Sequence, residues 1–394
     1  MINSSRFSYM KFNLFSTITF AFLILVIIFS DSIISSVPIQ QNAFENVPNL
    51  LHTHQAAGVL EITEADVVVV APSFAKIPTW PDEMGIFEES DPTRRFDSRV
   101  REFFSRNQCK VQAFMTWISP LDSYGQREFF GLETLFETNP SICLIILSET
   151  MDSYQGFKIL EPLLERGFHV QAMTPDLGDL IRNTPAEIWF NDIKNGVKNP
   201  GEIPLPQNLS NLIRLAVLYK YGGIYLDTDF IILKNLEGLR NSIGAQSVDL
   251  FGNWTRLNNA VLVFDSNHPL LYKFLEEFAS TFDGNVWGHN GPYLVSRVVE
   301  KLAKTEEFYN FTVLPPMAFY PVSWGKVAGF FARPSGRVGE RWVGAKIRQL
   351  SRLTYGVHLW NSKSSGIEIE EGSIMERLIS DHCVVCSKPT SWSS

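Results

Sequence analysis

Asp227 and Asp229 are the residues of this 394-residue chain whose type and spacing most directly specify chemistry. At positions i and i+2 of an extended segment two side chains project to one side, so both carboxylates can reach a common ion. Hard oxygen ligands suit Mg2+ or Mn2+, which bind few protein carboxylates and complete their shells with phosphate oxygens and water. An ion held there grips a diphosphate and neutralises the charge that builds on it as it departs. By itself an Asp-x-Asp triplet means little, because acidic turn residues usually face solvent or cap a helix. The surrounding sequence is what makes this one informative.

Upstream of the pair, Leu209, Leu212, Ile213, Ala216 and Val217 recur on one helical face, and Gly222-Gly223 permits the dihedrals that end a helix. The apolar strand 224–226 follows, so Asp227-Thr228-Asp229 is its polar exit, at the end of a strand where open α/β sheets bind ligands. Arg214, one turn beyond Ser210 and Asn211, offers a planar donor fork to phosphates or sugar; an ion pair with a nearby carboxylate is the alternative. Asn258 and Asn259, ahead of the apolar 260–264, are read as donor-sugar contacts, with ordinary turn capping as the alternative. Trp117, at the end of a predicted strand 111–117, is read as a nucleobase contact, with a core side chain as the alternative. In the loop before Gly291-Pro292, Trp287 can stack on a sugar while His289 and Asn290 bind hydroxyls, which makes it the candidate acceptor site, with a plain helix-entry loop as the alternative. Pro292 is a natural first residue for the helix that follows.

Further elements are expected as helices at 127–136 and 154–166 and strands at 141–147 and 168–173, an alternation that argues for a parallel sheet with helical crossovers. The segment 94–106 carries Phe96, Val100, Phe103 and Phe104 at helical spacing and is read as an amphipathic cap. Near the N-terminus, 12–30 is nineteen residues without a charge, about 28 Å as a helix and enough to span a bilayer. Arg6 and Lys11 precede it and no acidic residue occurs before Asp31, which favours a cytoplasmic N-terminus and a lumenal remainder over a cleaved signal peptide. The expected organisation is a tail 1–11, an anchor 12–30, a stem 31–105, a catalytic domain 106–380 with its Asp-x-Asp core at 209–230, and a tail 381–394. Sequons at Asn208, Asn253 and Asn310 are glycosylation candidates. Cys109, Cys143, Cys383 and Cys386 permit three disulfide pairings, and Cys383-Val-Val-Cys386 alone is a weak zinc signal. A net charge of −8 argues against a surface built for nucleic acid, and 45% apolar residues exclude a largely disordered chain.

Ser210-Asn-Leu-Ile-Arg214 followed by Tyr221-Gly-Gly-Ile-Tyr-Leu-Asp-Thr-Asp229 resembles the core of the family 32 glycosyltransferases that carry a DxD sugar-binding motif. His268-Pro-Leu, Trp287-Gly-His-Asn-Gly-Pro, Phe319-Tyr-Pro and Val357-His-Leu-Trp-Asn361 resemble blocks of its α-1,4-galactosyltransferase branch, over about 110–375, with details closest to plant members. The resemblance implies a GT-A-type, Rossmann-like mixed sheet flanked by helices, a UDP-sugar donor, Mn2+ (or Mg2+), a glycan or glycolipid acceptor, and transfer of a hexose, galactose favoured, with retention. It also implies Golgi residence as a type II membrane protein. By the same resemblance Ser210, Asn211, Arg214, Gly222, Gly223 and Tyr225 belong with Asp227 to the donor site, and His358 joins Asp227 and Asp229 on the metal. Asn211 departs from the usual Ser-Asp and removes a negative charge. No nucleophile is identified. The alternative reading is a non-catalytic, membrane-tethered protein that binds a glycan or nucleotide-sugar.

Overall fold

The computed structural model describes residues 90–305 and 309–385. The apolar run 12–30, its flanking Arg6 and Lys11, most of the predicted stem and Cys386 lie outside the described residues. Among those described, no helix is long and apolar enough to cross a membrane.

Runs of apolar residues with few charges form the centre of a seven-stranded sheet. Its strands are β1 (Val111–Thr116), β2 (Ile142–Leu147), β3 (His169–Met173), β4 (Gly223–Leu226), β6 (Ser242–Val248), β7 (Trp254–Phe264) and β8 (Thr312–Leu314), in the order β3-β2-β1-β4-β7-β6-β8. The pairs β2–β3, β1–β2, β1–β4 and β6–β8 are parallel, while β7 is antiparallel to both β4 and β6. The sheet is therefore mixed. Successive strands β1, β2, β3 build outward on one side of β1, and β4 then pairs on the other. The carboxyl ends of β1 and β4 thus flank a topological switch point, where open α/β sheets place their ligands.

Strand side chains alternate between two cores, as pleating requires. Phe114, Cys143, Ile145 and Tyr225 enter one core with Leu209, Leu212 and Ala216 of helix Leu205–Tyr221. Ala113, Met115, Leu144, Ile146, Ile224 and Leu226 enter the other with Leu132 and Leu135 of helix Gln126–Thr138. Full burial of each large apolar side chain contributes about 1.5–3 kcal/mol, so these two faces hold the strand ends firmly. Helix Phe96–Arg106 packs Phe96, Val100, Phe103 and Phe104 into the first core. Cys109 and Cys143, at the starts of β1 and β2, form a disulfide that resolves one pairing, and Cys383 is disulfide-bonded too.

Gly222 (φ 71°) and Gly223 (φ 105°) turn the long helix directly into β4. A Cβ on Gly223 would strike the carbonyl of Gln112, so the turn needs both positive φ and closeness to β1. A second, two-stranded sheet pairs β5 (Phe230–Ile232) antiparallel with β9 (Gly356–His358), in the register Phe230↔His358. It rests on a third core that includes Ile231, Phe331, Val357 and Leu359.

Candidate active site

Asp227 leaves the carboxyl end of β4 and Asp229 leads into β5, while β9 delivers His358 across from Phe230. One ligand atom from each of Asp227, Asp229 and His358 lies within 4.8 Å of the others. His358 Nε2 is 3.2 Å from Asp229 Oδ1. The far oxygen of Asp229 accepts the backbone N–H of Asn361 at 2.9 Å, and its carbonyl accepts that of Leu359 at 2.8 Å. Trp360, between them, adopts a left-handed backbone (φ 55°, ψ 58°). For a bulky residue this costs about 1–3 kcal/mol. It is held there by its indole N–H on the Val322 carbonyl at 2.9 Å and by edge-to-face packing on the His358 ring at 4.3 Å.

Arg214 braces the other carboxylate. Its Nη1 lies 3.1 Å from each oxygen of Asp227 and 2.9 Å from the Asn259 carbonyl, and Nε donates to the Ser210 carbonyl at 3.0 Å. The guanidinium sits 4.7 Å from the centre of the Tyr225 ring, and the Tyr225 hydroxyl donates to Asp227 at 2.9 Å. Of the two readings of Arg214, the structure displays the ion pair. Burial pushes the Asp227 carboxyl up, and the charge of Asp229 adds to this against the pull of Arg214 and His358, so its pKa is raised. Burial also pushes Asp229 up, but His358 and the Asn361 N–H outweigh it and hold Asp229 below the ordinary value. Two oxygens and an imidazole nitrogen converge in a partly buried cluster, and this donor set fits Mn2+ or Mg2+.

The remaining sequence-derived residues divide. Asn259 Nδ2 donates to Asn211 Oδ1 at 2.8 Å, which joins the middle of β7 to the helix beside Ser210. Trp117 lies at the carboxyl end of β1, edge-to-face with Tyr124 at 4.9 Å, and its buried indole N–H has no partner among the described residues. Asn258 is occupied by Gln246 and the Ala260 N–H. Gly222 and Gly223 stand at the opposite end of β4 from Asp227, four residues or roughly 13 Å away at strand rise. They form the helix-to-strand turn.

In the candidate acceptor loop, His289 and Asn290 are engaged within the fold. His289 Nε2 is 2.7 Å from the Thr281 carbonyl, and Arg297 donates to the His289 carbonyl at 3.2 Å. Buried Asn290 bonds Asn208 at 2.9 Å and the Asp283 carbonyl at 2.7 Å, and it accepts the Asp283 N–H at 3.1 Å. Both side chains shape the loop, leaving Trp287, 60% exposed, as its free face. Asn208 is 3% exposed inside a helix and cannot carry a glycan in this fold, whereas Asn253 and Asn310 are exposed. Sequence reasoning passed over Trp360 and Asn361 as site residues, although the block 357–361 contains both.

Residues 125–249 match the family described as glycosyltransferase sugar-binding region containing DXD motif, and residues 263–390 the alpha 1,4-glycosyltransferase conserved region. The chain is 36% identical over 223 residues to a lactosylceramide 4-alpha-galactosyltransferase of Pongo pygmaeus, covering 55% of this chain and 94% of that one. An alpha-1,4-N-acetylglucosaminyltransferase of Homo sapiens is 29% identical over 219 residues, 53% of this chain and 58% of its own. An uncharacterised protein of Arabidopsis thaliana is 28% identical over 311 residues, 77% of this chain and 46% of its own. The chain thus spans about half the length of the human and Arabidopsis relatives.

Proposed function

We propose that this chain, which belongs to the α-1,4-glycosyltransferase family with a DXD-containing sugar-binding region, transfers a hexose from a UDP-sugar to a glycan or glycolipid acceptor. The observation that carries this reading is the convergence of Asp227, Asp229 and His358 at a strand end beside the switch point of the sheet. These three residues would hold Mn2+ or Mg2+. Bound there, the ion supplies Lewis-acid stabilisation of the departing diphosphate. GT-A classification and retention of configuration are part of the proposal.

The chain's own groups do the positioning. Arg214 and Tyr225 fix the rotamer of Asp227, and the Asn361 N–H fixes that of Asp229, so both carboxylates are oriented before a ligand arrives. Asn211, less buried than its partner Asn259, would offer donor hydroxyls a neutral amide without adding charge. Trp117 and Tyr124 offer a buried aromatic wall with an unused N–H at the end of β1, suited to a nucleobase. Trp287 is the exposed ring with which the acceptor sugar would stack. The family relatives include both a galactosyl- and an N-acetylglucosaminyltransferase, so galactose is the favoured donor sugar on similarity to the former. The charge pattern around 12–30 supports a Golgi-type, lumenal placement of the catalytic domain.

The test is UDP release by the purified full chain across a panel of UDP-sugars, with Mn2+ or with EDTA, beside Asp229→Ala. Mn2+-dependent release from one donor, lost in the variant, supports the transferase. Absence of both turnover and metal-dependent UDP binding with every donor would favour a non-catalytic glycan-binding protein.

A further inference from the structure

Glu128 is a half-buried carboxylate at the edge of the candidate site that takes no part in the metal cluster. It stands in the first turn of helix Gln126–Thr138, where Oε2 accepts the Gly125 N–H at 3.0 Å. Oε1 accepts from the side-chain amide of Asn361 at 3.3 Å, and the backbone N–H of that same Asn361 holds Asp229. One residue therefore joins Glu128 to the metal cluster. On its other side, four residues back in the chain, Tyr124 packs edge-to-face on Trp117 at the carboxyl end of β1. Asn361, Glu128, Tyr124 and Trp117 thus form an arc from Asp229 to the aromatic wall. Three polar atoms along it, Asn361 Oδ1, the Tyr124 hydroxyl and Trp117 Nε1, are buried without a partner among the described residues. Buried polar atoms are nearly always paired, so an arc that leaves three unpaired suits a polar ligand. Burial, reinforced by the charge of Glu128, pushes the Tyr124 hydroxyl up, so it keeps its proton and acts as a donor. Arg127, beside Glu128 in sequence, is committed elsewhere, donating to the Ser364 and Ile367 carbonyls at 2.5 and 3.1 Å. The two bonds that Glu128 receives leave acceptor lone pairs on both of its oxygens.

We propose that Glu128 determines specificity for the ribose of the donor, its carboxylate accepting the two hydroxyls of the pentose. This assignment rests on the UDP-sugar reading of the site. A nucleoside diphosphate with its phosphates at Asp227, Asp229 and His358 and its base against Trp117 and Tyr124 places its pentose between them, and Glu128 is the charged group of that stretch. Charge decides which part of the ligand Glu128 can take. A carboxylate repels a diphosphate, whereas neighbouring hydroxyls are donors that it accepts in short, charge-assisted bonds. Acidic side chains bind ribose hydroxyls in the same way in other α/β nucleotide sites. Asn361 has a double task in this arrangement, because its backbone orients Asp229 and its side chain orients Glu128.

The test is calorimetric binding of UDP and of dideoxy-UDP, which lacks both ribose hydroxyls, to the full chain with Mn2+, as wild type and as Glu128→Ala. Wild type is expected to bind UDP about tenfold or more tighter than the dideoxy analogue, the effect of hydrogen bonds to a charged group. In Glu128→Ala, UDP is expected to weaken to the level of the analogue, while the analogue binds both proteins alike. If the alanine variant has a lowered Tm, Glu128→Gln serves, since it keeps the size and one acceptor oxygen but not the charge. Its preference for UDP over the analogue should fall to about threefold. Equal weakening of both ligands, as a merely structural role would give, or a preference that the substitutions leave unchanged, overturns the proposal. In either case UDP still binds wild type through Mn2+, and the transferase reading stands. A wild type without Mn2+-dependent UDP binding would instead remove that reading, and the ribose assignment with it.

Discussion

Arg214 shows how much of the site is built by one side chain. A guanidinium presents donors in a fixed plane, and here that plane reaches the Ser210 carbonyl one turn back, the Asn259 carbonyl and both oxygens of Asp227. A lysine keeps the charge but offers a single tetrahedral head on a flexible stem. Arg214→Lys is therefore expected to leave at least one buried carbonyl unpaired and Asp227 loosely held. The stability cost is about 2 kcal/mol, and donor hydrolysis should fall at least tenfold at saturating Mn2+. Thermal melts and UDP release measured on the same preparation check both parts. Unchanged turnover with a lowered Tm would assign Arg214 a purely structural role, since its pairing with Asp227 would then be dispensable to the chemistry.

At the scale of elements, helix Phe96–Arg106 is tied to the sheet by a polar clip as well as by its phenylalanines. Arg99 donates two bonds of 2.7 Å to Asp152, which also accepts the N–H and hydroxyl of Thr174 beyond β3. Burial pushes Asp152 up, but the Arg99 and Thr174 bonds outweigh it, leaving the folded pKa below the ordinary value. A depressed carboxyl pKa stabilises the fold above the unfolded value and loses that contribution as pH falls through the folded one. Asp152→Asn should cost about 2 kcal/mol near neutrality. The gap to wild type should close below about pH 4. Denaturant melts across this range decide it, and a gap indifferent to acid would show that the charge of Asp152 contributes nothing. Elements like these were readable in the sequence wherever local pattern dictates structure. The buried run 142–147 could be little but a central strand, and Gly222-Gly223 had to turn. The pairing of β5 with β9 was not readable, because Phe230 and His358 are remote in sequence and a three-residue strand has no periodicity of its own. Family resemblance suggested His358 as a ligand, and only the register brought it to Asp229. The internal bonds of the candidate acceptor loop were hidden for a related reason. A His and an Asn before a helix look available until Thr281, Asp283 and Asn208 are seen to occupy them.

For the molecule as a whole, the three sequons test which side of a membrane the domain occupies and whether the fold is as described. Asn253 lies in the exposed β6–β7 turn and Asn310 is exposed just before β8, while Asn208 is buried in helix Leu205–Tyr221 with its carbonyl oxygen bound to Asn290. Glycan transfer needs an accessible amide and a lumenal address. Expression of the full chain in a secretory-competent cell should accordingly give two glycosidase-sensitive steps in mobility. Asn253→Gln and Asn310→Gln should each remove one, and Asn208→Gln none, although loss of its bond to Asn290 should lower Tm. Each outcome speaks to a different part of the argument. No glycan at any site would put the domain outside the lumen and sink the type II topology drawn from Arg6, Lys11 and the run 12–30, while leaving the metal cluster untouched. A glycan at Asn208 in active protein would mean instead that this helix is not packed as described, and Arg214, on the same helix, could then not be bracing Asp227.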